Sequence, residues 1–112
     1  MESELAEITE GSTKLLVPKE SLSEDVPPKE PAFFNPRARV SRDFSIIAYS
    51  AFLKNFKGPK IFLDSLAGIG ARSIRVANEI KSIEKVIVNA ITVKKWGEYI
   101  WFLWNWRRHE II

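Results

Sequence analysis

A chain of 112 residues, 46% apolar and 28% charged, has an ordinary composition for one small folded domain. Without cysteine it has no disulfide framework, Fe–S cluster or thiolate zinc site, which fits a reducing, cytoplasmic setting; the acidic start MESELAEITE does not read as a signal peptide, and no apolar run approaches the ~20 residues that cross a bilayer. The net charge of +3 divides into −5 over residues 1–32 and +8 over residues 33–112, so the body of the chain suits a polyanion such as RNA.

Residues 5–17 read as a small hairpin. Leu5 and Ile8 precede Glu10-Gly11-Ser12, Leu15 to Val17 follow, and Gly11 can take the positive φ of a tight turn. Pro18 ends the second strand. Residues 18–32 (PKESLSEDVPPKEPA) hold too few apolar side chains to pack and read as a linker or extended loop. Residues 33–41 (FFNPRARVS) read as a loop that ends on Ser41 as N-cap, with Asp43 in the first helical turn. A helix then spans about Arg42 to Phe56, where Phe44, Ile47, Ala48, Ala51 and Phe52 recur at helical spacing as one apolar face, until Gly58-Pro59 stops it.

Lys60 to Asp64 (KIFLD) reads as a short strand buried on both sides, as in a parallel sheet. A small-residue loop, Ser65 to Gly70, leads into a helix over about 70–81 with Ile74, Ala77 and Ile80 on one face. Lys85 to Asn89 (KVIVN) reads as a second strand, so residues 60–89 form a strand–helix–strand unit. All four tryptophans fall after it, at 96, 101, 104 and 106. The run YIWFLWNW over 99–106 follows neither the helical nor the strand period, the pattern expected of a frame-shifted end.

The loop Asp64-Ser-Leu-Ala-Gly-Ile-Gly70 carries the clearest chemistry. A strand ends on a carboxylate, and two glycines then open a helix whose first N–H groups are free. The crevice beyond the carboxyl end of a strand is where open α/β sheets bind ligands. A dinucleotide fingerprint needs a third glycine, and Ser73 stands in its place. Asp64 with Ala67-Gly68-Ile69-Gly70 fits an S-adenosylmethionine loop better. His109 is the only histidine, without companions for a metal site.

A second segment joins this one. Phe33-Phe-Asn-Pro-Arg-Ala-Arg-Val-Ser-Arg-Asp43 resembles the signature that precedes the methyltransferase domain of tRNA guanine-26 N2-dimethyltransferases, with Ser41 where asparagine is usual. Asp64, Leu66, Ala67, Gly70, Arg72 and Arg75 match that family's first cofactor motif, and Glu10-Gly11 with Lys14-Leu-Leu-Val-Pro18 is similar to its N-terminal hairpin. The resemblance covers about residues 7–89.

It implies an α/β fold: an N-terminal hairpin and helix, then the first βαβ unit of a Rossmann-like methyltransferase sheet, incomplete, with Ile61, Phe62 and Leu63 on an open edge. Residues 1–32 would be hairpin and acidic linker, 33–90 the start of the S-adenosyl-L-methionine-binding domain, and 91–112 a Trp-rich tail outside the family pattern. Arg42, Asp64, Ala67, Gly68, Gly70 and Arg72 would hold the cofactor, Arg42 by its carboxylate and Asp64 by its amino group through water. Asn35 and Arg39 would belong to a loop closing the site, and Arg75 would be structural.

tRNA is the implied substrate, with no metal and no membrane. Two departures bear on activity. Ala90 follows Asn89 where the family carries an acidic residue for the ribose hydroxyls. The Asp-Pro-aromatic motif that accepts the guanine proton is absent, so no residue here is a catalytic candidate and the chain is expected to be inactive alone. The alternative is a small basic RNA-binding protein using Arg37, Arg39, Arg42 and the aromatic tail.

Overall fold

The computed structural model describes residues 4–29, 33–89 and 110–111. Strands β1 (Leu5–Glu10) and β2 (Thr13–Pro18) pair antiparallel, with Ile8 opposite Leu15 and Glu10 opposite Thr13. Gly11 turns the chain at φ +57. A side chain there would be strained, and its Cβ would collide with Glu79 Oε1 and lie 2.8 Å from Arg75 Nη2. Strand alternation sends Ile8, Leu15 and Val17 inward and carries Glu10 and Thr13 with them.

Two readings of the next segment are corrected. Residues 18–32 are not all extended, because Lys19–Ser23 forms a one-turn helix, α1. Pro18 precedes it with φ −59, Lys19 N bonds back to Glu4 O, and Ser21 is buried, so backbone geometry rather than an apolar stripe makes this turn. Ser41 is not the N-cap either. Asn35 caps a 3-10 turn, Pro36–Ala38, by accepting from Arg37 N, and α2 (Arg39–Lys54) continues from that turn. The Pro-preset turn starts the helix early. Asp43 therefore lies beyond the first turn, and its carboxylate meets Arg75 rather than the helix end.

Helix α2 also faces the other way from its strongest apolar stripe. Phe44, Ile47 and Phe52 are 68%, 65% and 67% exposed. The inward side is Arg42, Ile46, Tyr49 and Leu53, also at helical spacing. Tyr49 packs on Phe62 with ring centroids 5.0 Å apart, and Arg42 meets a buried carboxylate. Periodicity finds both stripes, and these partners decide which one turns inward.

Strand β3 (Ile61–Asp64), α3 (Ala71–Glu79) and β4 (Lys85–Val88) form the parallel unit, with Phe62 beside Val86 and Asp64 beside Val88. A two-residue strand, β5 (Glu110–Ile111), adds to the far side of β4, giving the order β3-β4-β5. Helix α3 packs against both β2 and β4, so Leu15, Val17, Ile74, Val76, Ile80, Val86 and Val88 share one core. Among the described residues β3 is an edge strand, as expected, with Ile61 and Leu63 exposed while Phe62 is covered. The expectations for Ala90, His109 and the tryptophan run fall outside the described residues. Among the described residues no helix is long and apolar enough to cross a membrane, and no group of His, Cys, Asp or Glu could hold a metal ion.

Candidate functional site

Beyond the carboxyl end of β3, a crevice of about 260 Å³ opens between the β3–α3 loop and the start of α2. Asp64, Leu66, Ala67, Gly68, Ile69, Ala71 and Arg72 form one side, and Phe33, Phe34, Asn35, Ala38 and Arg42 the other. The loop is tightly tied. Ala67 N donates to Asn89 O at 3.0 Å and Gly70 N to Ala67 O at 2.8 Å, while Gly68 and Gly70 take φ +59 and +80. Only glycine adopts such angles without strain. Gly70 ends in the left-handed region as the N-cap of α3, whose first N–H groups have no acceptor within the helix.

Arg42 is buried although charged. Its Nε and Nη2 donate to the two carboxylate oxygens of Glu10 at 2.8 and 2.6 Å, and Nη2 also donates to Asn35 O at 3.1 Å. The Phe34 ring lies against the guanidinium, 4.6 Å from Cζ to the centroid. Nη1 makes no hydrogen bond among the described residues. Arg72 donates through Nη2 to Ser41 Oγ at 3.3 Å, and its Nε is buried without an acceptor among the described residues. Asp64 accepts from Ser73 Oγ at 2.6 Å through Oδ2, which leaves Oδ1 for the crevice.

The structure therefore brings Arg42, Asp64, Ala67, Gly68 and Arg72 to one crevice. Gly70 does not line it and instead shapes the loop behind. Asn35 lines it, whereas Arg39 does not and sits 3.9 Å from Asp43. The Nη1 atoms of Arg42 and Arg72, which have no acceptor among the described residues, with helix N–H groups and one carboxylate oxygen suit a group carrying both a carboxylate and an ammonium. The volume is just below the roughly 300–1,000 Å³ typical of whole ligand pockets, so the crevice is the size of one part of a ligand.

The ion network behind the crevice was not read from the sequence. Arg75 is buried and donates to Asp43 at 2.6 Å and to Glu79 at 2.7 and 3.2 Å, with Glu10 at 3.4 Å. Thr13 Oγ1 donates to Glu79 at 2.8 Å, so the hairpin, α2 and α3 meet on these charges. Two signals pointed to it. Strand alternation puts Glu10 on the face of Ile8, and Arg75 and Glu79 are four residues apart on a helix.

The Arg75 guanidinium is held above its ordinary range by its hydrogen bonds to Glu79 and Asp43, against an opposing effect of burial. Burial pushes the Glu79 carboxyl upward, but hydrogen bonds from Arg75 and Thr13 outweigh it and hold the group below its ordinary 4.5. The folded state then binds fewer protons than the unfolded chain. The contribution is complete above the ordinary value and is lost as the pH falls through the depressed one. Thermal unfolding should show the midpoint falling on acidification below pH 4.5, and Glu79→Gln should flatten that fall. An unchanged acid limb in the variant would contradict this assignment.

Comparison with known proteins gives the same outline. The family model for N2,N2-dimethylguanosine tRNA methyltransferase matches residues 11–97, past Asn89. A tRNA (guanine(26)-N(2))-dimethyltransferase of Methanococcus maripaludis is 45% identical over 75 residues, covering 66% of this chain and 19% of the relative. The enzyme of the same name from Methanopyrus kandleri is 43% identical over 86 residues, covering 77% of this chain and 20% of the relative. The chain thus spans about a fifth of the curated relatives it matches. The structure of Trm1 from Pyrococcus horikoshii in complex with S-adenosyl-L-methionine superimposes with a TM-score of 0.61 at 30% identity, over 90% of this chain and 24% of that one. The chain belongs to the N2,N2-dimethylguanosine tRNA methyltransferase family.

Proposed function

We propose that the crevice at the end of β3 holds the amino-acid end of S-adenosyl-L-methionine, and that the chain supplies this cofactor-holding part of a tRNA guanine-N2 dimethyltransferase. One observation carries the reading. Arg42 and Arg72 each keep a nitrogen without an acceptor among the described residues, and both line a crevice walled by Asp64 and a glycine loop. Arg42 and Arg72 take the cofactor carboxylate, Asp64 takes its ammonium through water, and Ala67 and Gly68 let the backbone approach closely. The cofactor, when bound, supplies the sulfonium methyl that an exocyclic guanine amine accepts. A tRNA substrate agrees with the +8 balance of residues 33–112 and with a cytoplasmic protein.

Two features limit what these residues do by themselves. Ala90 offers no carboxylate to the ribose hydroxyls, and charge-assisted hydrogen bonds of that kind contribute about 1.5–3 kcal/mol each. No Asp-Pro occurs in the sequence to take the guanine proton. Labelled methyl should therefore not pass from S-adenosylmethionine to unmodified tRNA when the 112 residues are assayed alone. Grafted in place of the matched segment of the Methanococcus maripaludis relative, residues 11–89 should sustain incorporation at guanine N2. A folded graft that binds tRNA but incorporates no methyl would overturn the reading.

A further inference from the structure

We infer that Glu10, on the β1–β2 hairpin, is a positioning residue for the cofactor: it holds Arg42 side-on so that Nη1 is the nitrogen left for the crevice. The inference rests on the proposed role of Arg42 and extends the site to an element that does not line it. Glu10 is 2% exposed and 32 residues from Arg42 in sequence, yet both of its oxygens meet that guanidinium, at 2.8 and 2.6 Å. A side-on carboxylate occupies Nε and the near edge of Nη2, and Asn35 O takes the rest of Nη2. Phe34 fixes the plane of the group. Three hydrogen bonds and a ring face thus hold the guanidinium, and its remaining nitrogen belongs to a side chain that lines the crevice.

Stability alone is a poor reason for this arrangement. Buried ion pairs are often replaced by apolar side chains without loss, because desolvation offsets their attraction. Arg75 approaches Glu10 only at 3.4 Å, and its shorter bonds go to Asp43 and Glu79. The close, two-point contact is reserved for the arginine at the crevice. Orienting Arg42 is what distinguishes the two contacts, and pre-orientation strengthens binding by removing the cost of ordering a long side chain on contact.

The test compares two probes by chemical-shift titration of the whole chain. S-adenosylhomocysteine carries the amino-acid carboxylate, and 5′-methylthioadenosine keeps adenine and ribose but lacks it. Glu10→Gln keeps the shape and loses the charge. It should weaken S-adenosylhomocysteine about ten- to a hundredfold, the size of one charge-assisted hydrogen bond, and leave 5′-methylthioadenosine within about twofold. Equal losses for both probes would make Glu10 a support of the fold only, and no loss for either would also overturn the inference. If the glutamine variant does not fold, Glu10→Asp is read in the same way, since it keeps the charge but draws the guanidinium back. If the unaltered chain does not prefer S-adenosylhomocysteine to 5′-methylthioadenosine, the carboxylate role of Arg42 fails first and the inference with it. If Arg42→Lys loses that preference while Glu10→Gln keeps it, only the positioning role is lost.

Discussion

Replacing Arg75 with methionine is expected to lower the unfolding free energy by about 3–5 kcal/mol, the usual cost of removing one partner from a buried ion pair. Arg75 is the cation at which the hairpin, α2 and α3 converge. It donates to Asp43 and Glu79 and lies 3.4 Å from Glu10. Methionine fills much of the same volume, so packing changes little. The loss comes from buried Glu10 and partly buried Glu79, which are left with less positive charge to offset their desolvation. Glu79 retains the bond from Thr13 and Glu10 retains Arg42, so the structure should loosen first where Gly11 and Ser12 rest on α3. Small domains have only about 5–15 kcal/mol in total, so urea denaturation should show a large shift of the midpoint. A change below about 1 kcal/mol would mean that the network is not structural.

The opposite pattern is expected one turn earlier on the same helix. Arg72→Met should leave stability within about 0.5 kcal/mol, as for surface substitutions that break no buried partnership. Among the described residues its side chain makes one hydrogen bond, a long one of 3.3 Å to Ser41 Oγ. Its Nε, by contrast, is already desolvated without an acceptor among the described residues, and the side chain lines the crevice. Its Nη1 has no acceptor among the described residues either, and the terminal edge of a guanidinium can take a ligand carboxylate. Affinity for S-adenosylhomocysteine should fall about ten- to a hundredfold, the value of one hydrogen bond to a charged group. Two arginines three residues apart in one motif would then divide into a ligand contact and a structural contact. Equal effects of the two variants on stability would contradict that division.

What was legible in the sequence was local. Gly11 between two apolar runs marks the hairpin, and the short runs KIFLD and KVIVN mark the parallel strands. The small-residue loop marks the crevice because glycine is needed where φ is positive. The orientation of α2 was not legible. Phe44, Ile47 and Phe52 form the stronger apolar stripe, but Ile46, Tyr49 and Leu53 meet the core, through Phe62 and a paired Arg42 that periodicity cannot weigh.

Helix α1 was missed because it depends on a proline-set backbone rather than on side-chain pattern. The ion network was missed because its members come from residues 10, 42, 43, 75 and 79. Arg42, in the first turn of α2, is a cation at the unfavourable end of the helix dipole, which calls for a partner. Only the fold identifies Glu10 as that partner, and it is the same contact that leaves Nη1 free for the crevice. The exposed basic side chains proposed for an RNA-binding alternative are partly engaged within the chain, Arg37 with Asp25 at 3.5 Å and Arg39 with Asp43 at 3.9 Å.

The β3–α3 loop and the two arginines are proposed as the place where S-adenosylmethionine is held. This role is tested most directly by titrating S-adenosylhomocysteine into the isotopically labelled chain and into Arg72→Met while following backbone amides and arginine side-chain N–H signals. Weak, saturable shifts are expected at Gly68, Gly70 and Ala71 and at the side chains of Arg42 and Arg72 in the unaltered chain, with those at the loop and Arg42 much reduced in the variant. Saturable shifts that avoid this loop, or the absence of any shift at millimolar ligand, would contradict it.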